Sequence, residues 1–165
     1  MAGALYRSDT MKLSDLIIQD AIIPRLESTT RDGVVAELIG SLAEVGAISA
    51  DSVTDITAAI LAREAQATTG IGKGIAFPHA RIKGVKQAVA VVGCSPGGIA
   101  FDSLDGQPVD MVILLLSSSD DADEHLQAME AIFRHVHREA FRTELRACQT
   151  RDEIVAIIDN ADGPE

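Results

Sequence analysis

A chain of 165 residues with 47% hydrophobic but only 3% aromatic side chains builds its core from Ala, Val, Ile and Leu, and suits one domain burying roughly 70% of its unfolded surface. Its 14 basic and 25 acidic residues give a formal net charge of −11, which excludes a nucleic-acid partner because phosphate backbones need a basic face. No apolar run approaches a membrane span, no signal-peptide core opens the chain, and Cys94 and Cys148 form no disulfide framework, so a cytoplasmic protein without membrane insertion is expected.

Residues 1–10, MAGALYRSDT, show no period and read as a disordered extension, with a single domain expected over 11–160 from Met11-Lys12-Leu13-Ser14-Asp15-Leu16 onward. Arg31 to Val45 sets Val34, Val35, Leu38, Ile39, Leu42 and Val45 on one helical stripe, with Thr30 as N-cap and Gly46 as C-cap. A second helix is expected from about Asp51 to Glu64, turning Val53, Ile56, Ile60 and Leu61 inward. The stretch from Thr68 to Ala80, TTGIGKGIAFPHA, reads as loop leading into a short strand near Gly74 to Phe77.

Ala88 to Val92 is a strand that should end at a turn over Gly93-Cys94-Ser95-Pro96-Gly97-Gly98. Asp102 to Pro108 is a polar connection with an Asp105-Gly106 turn signal, and the apolar run Val109 to Leu116 suits a central strand covered on both faces. Helices follow from Asp123 to Ala140, from near Thr143, and from Arg151 to Asp159. Strands bracketed by helices imply an α/β domain with its sheet between helical layers.

Three motif matches fail on their chemistry. GIGKG lacks the hydroxyl after Lys73 and the upstream glycine of a nucleotide-binding P-loop, and its glycines alternate where the dinucleotide fingerprint needs G-x-G-x-x-G. Gly93-Cys94-Ser95-Pro96-Gly97 has the G-x-S-x-G spacing of a hydrolase nucleophile, but Pro96 has no N–H for the oxyanion hole and no helix follows. His135 and His137 project about 200° apart on a helix, so they cannot share a metal; both read as surface or half-buried, and no metal site is expected.

His79 stands in a different setting. Pro78 fixes its own φ and limits the backbone of Phe77 before it, and the glycines ahead of it permit positive φ and close approach to a ligand. Thr68, Thr69 and Arg63 add donors and charge, a combination suited to a phosphoryl group. Spacing alone leaves this reading level with a glycine-rich turn carrying an incidental histidine.

The residues Arg63-Glu64 and Thr68 to Arg81, continued by Val85-Lys86, Ile99 to Gly106 and Glu124-His125-Leu126, resemble the signature of the fructose/mannitol-type enzyme IIA domain of the bacterial phosphoenolpyruvate-dependent phosphotransferase system. The resemblance runs from Met11 to about Ile158 and implies a three-layer αβα sandwich around a small mixed sheet. It implies that His79 accepts phosphate from the phosphohistidine of the carrier protein HPr and passes it to a IIB cysteine, with no cofactor. Arg63 and His125 would assist at the site, Glu64 would orient Arg63 or be solvated, and Thr68, Thr69, Gly70, Gly72 and Lys73 would bind the phosphate. Two positions depart from the pattern, Lys73 where many members carry Asn and Phe77 where many carry Ile.

No IIB cysteine module or membrane segment accompanies the domain in these residues, so transfer in trans is expected. Met11 to Ile17 resembles the opening of nitrogen-regulatory members, whose phosphorylation state controls binding to target proteins. The alternative is the IIA component of a sugar uptake system donating to a separate IIB protein. A binding module without phosphotransfer is the third reading.

Overall fold

A computed structural model describes residues 11–162, so the expectation for residues 1–10 lies outside the described part. In chain order come the helices α1 (Leu13–Leu16), α2 (Arg31–Glu44) and α3 (Val53–Gln66), then the strands β1 (Gly70–Gly72), β2 (Ile75–Ala76), β3 (His79–Ile82), β4 (Val89–Ile99) and β5 (Val109–Ser118). The helices α4 (Ala122–Val136), α5 (Glu139–Ala147) and α6 (Arg151–Ala161) follow.

β5 is apolar along nearly its whole length because both faces are covered. β4 runs antiparallel to it along one edge. β2 and β3 both pair with it in parallel, so they share the other edge, and β1 folds back antiparallel on β2. The pleat then sorts the core. Met111, Ile113 and Leu115 with Ala90 and Val92 pack beneath α1, α4, α5 and α6, while Val112, Leu114 and Leu116 with Val89 and Val91 pack beneath α2 and α3. The result is the expected αβα sandwich with a small mixed sheet.

Thr30 caps α2, its Oγ1 accepting from the Gly33 amide at 3.1 Å, and Gly46 follows the helix at φ 82°. Val45 leaves the predicted stripe and stays exposed, one residue beyond the helix. α3 starts later than expected, after a 3₁₀ turn at Ala50–Ser52, and runs past Glu64 to Gln66. Ile56 and Ile60 are fully buried, with Val53 and Leu61 packed at the margin of the same core.

Three expectations fail for tertiary reasons. The Gly93–Gly98 stretch is not a turn: β4 continues through it to Ile99, with a register shift after Cys94. Chain preceding α2 supplies its partners, since the Cys94 amide donates to the Ile23 carbonyl and the Cys94 carbonyl accepts from the Leu26 amide. Within this extended strand residue 93 is glycine because a Cβ there would lie 2.9 Å from Leu38 and 3.0 Å from Leu26.

The break after α4 falls at His137-Arg138, earlier than the expected boundary near Thr143. Buried Arg142 closes that end, its Nη1 donating to the Val136 carbonyl at 2.7 Å. His135 is buried, where a surface or half-buried position was expected. Its Nε2 lies 2.7 Å from Oδ1 of Asp162, whose Oδ2 accepts from the Leu13 amide, so one carboxylate ties α1, α4 and the end of α6 together. His137 is exposed, and its Nδ1 donates to the Phe133 carbonyl.

Candidate functional site

Phe77 and Pro78 interrupt an otherwise continuous edge strand without shifting its register: Ala76 stands opposite Val112, and His79 opposite Leu115. Proline is tolerated because its missing N–H leaves no ladder bond unmade at the edge, while its carbonyl accepts from the Leu115 amide at 3.0 Å. Phe77 is buried, edge-on to Phe133 at a centroid distance of 5.0 Å, and the His79 ring sits 5.0 Å from it. The imidazole is therefore mounted on packed aromatic structure.

His79 Nδ1 lies 2.8 Å from the Phe77 carbonyl oxygen. A carbonyl only accepts, so Nδ1 carries the proton and Nε2 holds the free lone pair. Burial lowers the His79 pKa, opposed by the Phe77 hydrogen bond, with Arg63 adding to the decrease and Glu64 opposing it. The ring is held neutral near pH 7, with its nucleophilic nitrogen free.

That ring borders a cavity of about 460 Å³ at the edge of the sheet, where both helical layers reach past β3. Arg63 and Gln66 of α3, Arg81 of β3 and His125 of α4 supply its polar lining, and Ala59 and Ala62 leave the space open. Arg63 Nη1 donates to the Ala67 carbonyl at 3.0 Å, bracing the guanidinium at the end of α3. The His125 ring centroid stands 6.0 Å from that of His79, and its Nδ1 lies 2.5 Å from Ser117 Oγ. Burial lowers the His125 pKa, with His79 and Arg81 adding to the effect. A second cavity of about 460 Å³, between the Gly46 to Ser52 segment and the turn at Lys83 to Gln87, has no histidine, cysteine or carboxylate in its lining.

The structure thus brings together His79, Arg63 and His125. The five expected phosphate ligands lie outside the cavity lining. Thr68 Oγ1 donates to the Phe101 carbonyl and accepts from the Gly70 amide. Thr69 directs both its amide and its hydroxyl at Glu64, at 2.7 and 2.6 Å. Glu64 is accordingly neither solvated nor paired with Arg63; it is buried and anchors the chain that enters β1.

Gly72 and Lys73 sit at the far end of the β1–β2 hairpin, where the Lys73 amide donates to Asp105 at 3.0 Å. The glycines serve that hairpin. Lys73 and Gly74 are its two central residues, at φ 59° and 81°, the left-handed pair that a tight two-residue hairpin demands.

Three lining or supporting residues were not singled out by sequence. Arg81 follows His79 by two on a strand and so shares its face, and Gln66 follows Arg63 by three on a helix; both spacings were readable. Ser117 had no local signal, since it looks like the polar end of an apolar strand.

Comparison with known proteins identifies the family and the fold. Residues 15–161 match the family model described as phosphoenolpyruvate-dependent sugar phosphotransferase system, EIIA 2. The chain is 32% identical over 152 residues to a PTS system fructose-specific EIIABC component of Bacillus subtilis, a match covering 92% of this chain and 24% of that protein. It is 30% identical over 148 residues to a nitrogen regulatory protein of Bradyrhizobium diazoefficiens, covering 90% of this chain and 95% of the relative. The crystal structure of nitrogen regulatory protein IIA-Ntr from Neisseria meningitidis aligns with a TM-score of 0.79 at 26% identity, over 88% of this chain and 98% of that one.

Proposed function

The chain belongs to the EIIA 2 family of the phosphoenolpyruvate-dependent sugar phosphotransferase system, and from that premise we propose that it is a phosphocarrier whose His79 Nε2 accepts a phosphoryl group from an HPr-type phosphohistidine. The observation that carries this reading is the bond from His79 Nδ1 to the Phe77 carbonyl beside an arginine-lined cavity, which leaves one neutral, aimed nitrogen.

In the transfer the Nε2 lone pair forms the new N–P bond as the bond to the donor imidazole breaks, and the donor ring leaves with that electron pair. Positive charge builds on the His79 ring as it is phosphorylated, and the Phe77 carbonyl stabilises it through Nδ1–H. Arg63 and Arg81 offset the charge on the three phosphoryl oxygens, and His125 lies within reach to hydrogen-bond them. Positioning and charge stabilisation are all the step requires of the protein.

The nitrogen-regulatory use, in which phosphorylation state controls binding to target proteins, is favoured by the relative that this chain matches over 95% of its length. The fructose-specific relative supports the alternative, donation to a IIB protein in sugar uptake. Incubation with phosphoenolpyruvate, the first enzyme of the pathway and HPr tests the core of the proposal. Acid-labile phosphate should appear on the wild type and not on His79→Ala; label persisting on the variant would remove the assignment. Capture experiments with both phosphorylation states separate the two uses: retention of a IIB protein indicates transport, and state-dependent capture of other proteins indicates regulation.

A further inference from the structure

We infer that Ser117 is a positioning residue of this site, holding His125 in the tautomer that carries its proton on Nε2 and presents an N–H donor to the phosphoryl oxygens. The inference rests on the phosphocarrier reading for its purpose but not for its geometry.

Ser117 belongs to β5, stands opposite Arg81 in the β3 register, and lies two residues past Leu115, the partner of His79. The parity of the strand therefore puts it on the His79 face of the sheet, facing α4. It is fully buried, and among the described residues its hydroxyl has one hydrogen-bond partner, His125 Nδ1 at 2.5 Å.

A buried hydroxyl proton without an acceptor costs about 1–3 kcal/mol. Were Nδ1 protonated, the serine oxygen would accept from it and the serine proton would have nowhere to go. The hydroxyl must donate, so Nδ1 accepts. A ring kept neutral by burial and by the neighbouring His79 and Arg81 then has its single proton on Nε2.

The two histidines consequently hold opposite tautomers. His79 has its proton on Nδ1 and a free lone pair at Nε2, because a carbonyl faces Nδ1. His125 has a free lone pair at Nδ1 and its proton on Nε2, because a hydroxyl donor faces Nδ1. One ring is set to attack phosphorus and the other to donate to its oxygens. Each setting is made by a partner behind the ring, on the side away from the reaction.

Imidazole nitrogen NMR on uniformly ¹⁵N-labelled, unphosphorylated protein reads both tautomers directly. The wild type should show His125 protonated at Nε2 and His79 protonated at Nδ1. Ser117→Ala should convert His125 to an averaged tautomer mixture and slow single-turnover phosphoryl acceptance about tenfold, the loss of one hydrogen bond. Ser117→Thr, which keeps the hydroxyl, should restore both readouts. A wild-type His125 protonated at Nδ1, or a His125 signature unchanged in Ser117→Ala, overturns the inference. The wild-type measurement needs no variant to fold and no phosphate to move. The expected tautomers in a protein that never labels at His79 would support the assignment and count against the phosphocarrier reading.

Discussion

At the scale of single residues, His79 is defined by what its two nitrogens face: a carbonyl behind and an open cavity ahead. Its lowered pKa sets a pH dependence. On the phosphocarrier reading the reactive form is the neutral ring, so acceptance should fall as the ring protonates, with a midpoint below the ordinary histidine value of 6.5. Single-turnover transfer from phosphorylated HPr, followed from about pH 8 downward, checks this, and a midpoint above 6.5 would contradict it. Arg63→Ala removes a charge from the cavity and one exposed hydrogen bond to Ala67, so transfer should slow by about ten- to a hundredfold, the range of a charge-assisted bond, with little change in thermal stability. Unaltered kinetics would take Arg63 out of the site. The restricted approach to His79 was legible in the sequence itself and the family resemblance pointed to its role, whereas Ser117 was not legible, because its value depends on a helix that the chain reaches only later.

At the scale of elements, the glycine-rich stretch shows how a local pattern is reassigned by its neighbours. Its backbone freedom permits a tight hairpin, and the Thr68 and Thr69 hydroxyls and the Lys73 amide that were expected to bind phosphate are partnered with Phe101, Glu64 and Asp105. Lys73 holds a left-handed conformation at φ 59°, which side chains other than Asn and Gly adopt at a cost of about 1 kcal/mol. Lys73→Asn, the residue many members of the family carry, should therefore raise stability by up to about 1 kcal/mol in urea unfolding and leave phosphoryl acceptance unchanged. A large loss of transfer would put Lys73 back at the phosphate.

Thr69→Val keeps the side-chain volume but takes a hydroxyl away from the buried Glu64 carboxylate. Stability should fall by about 1–3 kcal/mol by denaturant titration, the range for leaving a buried polar group short of a partner. β4 makes the same point at its far end. Glycines and a proline read locally as a turn, yet backbone partners at Ile23 and Leu26 keep the chain extended.

For the molecule as a whole, the sheet edge is where both helical layers meet the strand carrying His79, so the cavity draws on residues from α3, β3 and α4. On the α4 side of the sheet, Asp162 joins three helices. Burial pushes its carboxyl up, but the Leu13 amide, His135 and Arg134 together hold it below the ordinary carboxylate value. A lowered carboxyl stabilises the fold above the unfolded value of 3.8, and this contribution is lost as pH falls through the lower folded value. His135, kept neutral by burial, adds a loss that begins as pH drops below its unfolded value of 6.5. Asp162→Asn should lower stability at pH 7 by about 1 kcal/mol, modest because solvent reaches the carboxylate, and should flatten the acid limb of the stability profile. Denaturant titrations from pH 7 to pH 3 check both features.

Sequence by itself determined the covered central strand, the capped α2 helix, the layered α/β class and the restricted backbone that leads into His79. Each of those depends on periodicity, capping or proline restriction, forces that act within a few residues of the chain. Only the tertiary structure decided which donors face the cavity, where β4 and α4 end, and which nitrogen of each histidine carries its proton. Those outcomes depend on hydrogen-bond partners such as the Ile23 carbonyl, Arg142 and the Ser117 hydroxyl, and a donor's acceptor is settled by which segments the fold brings together.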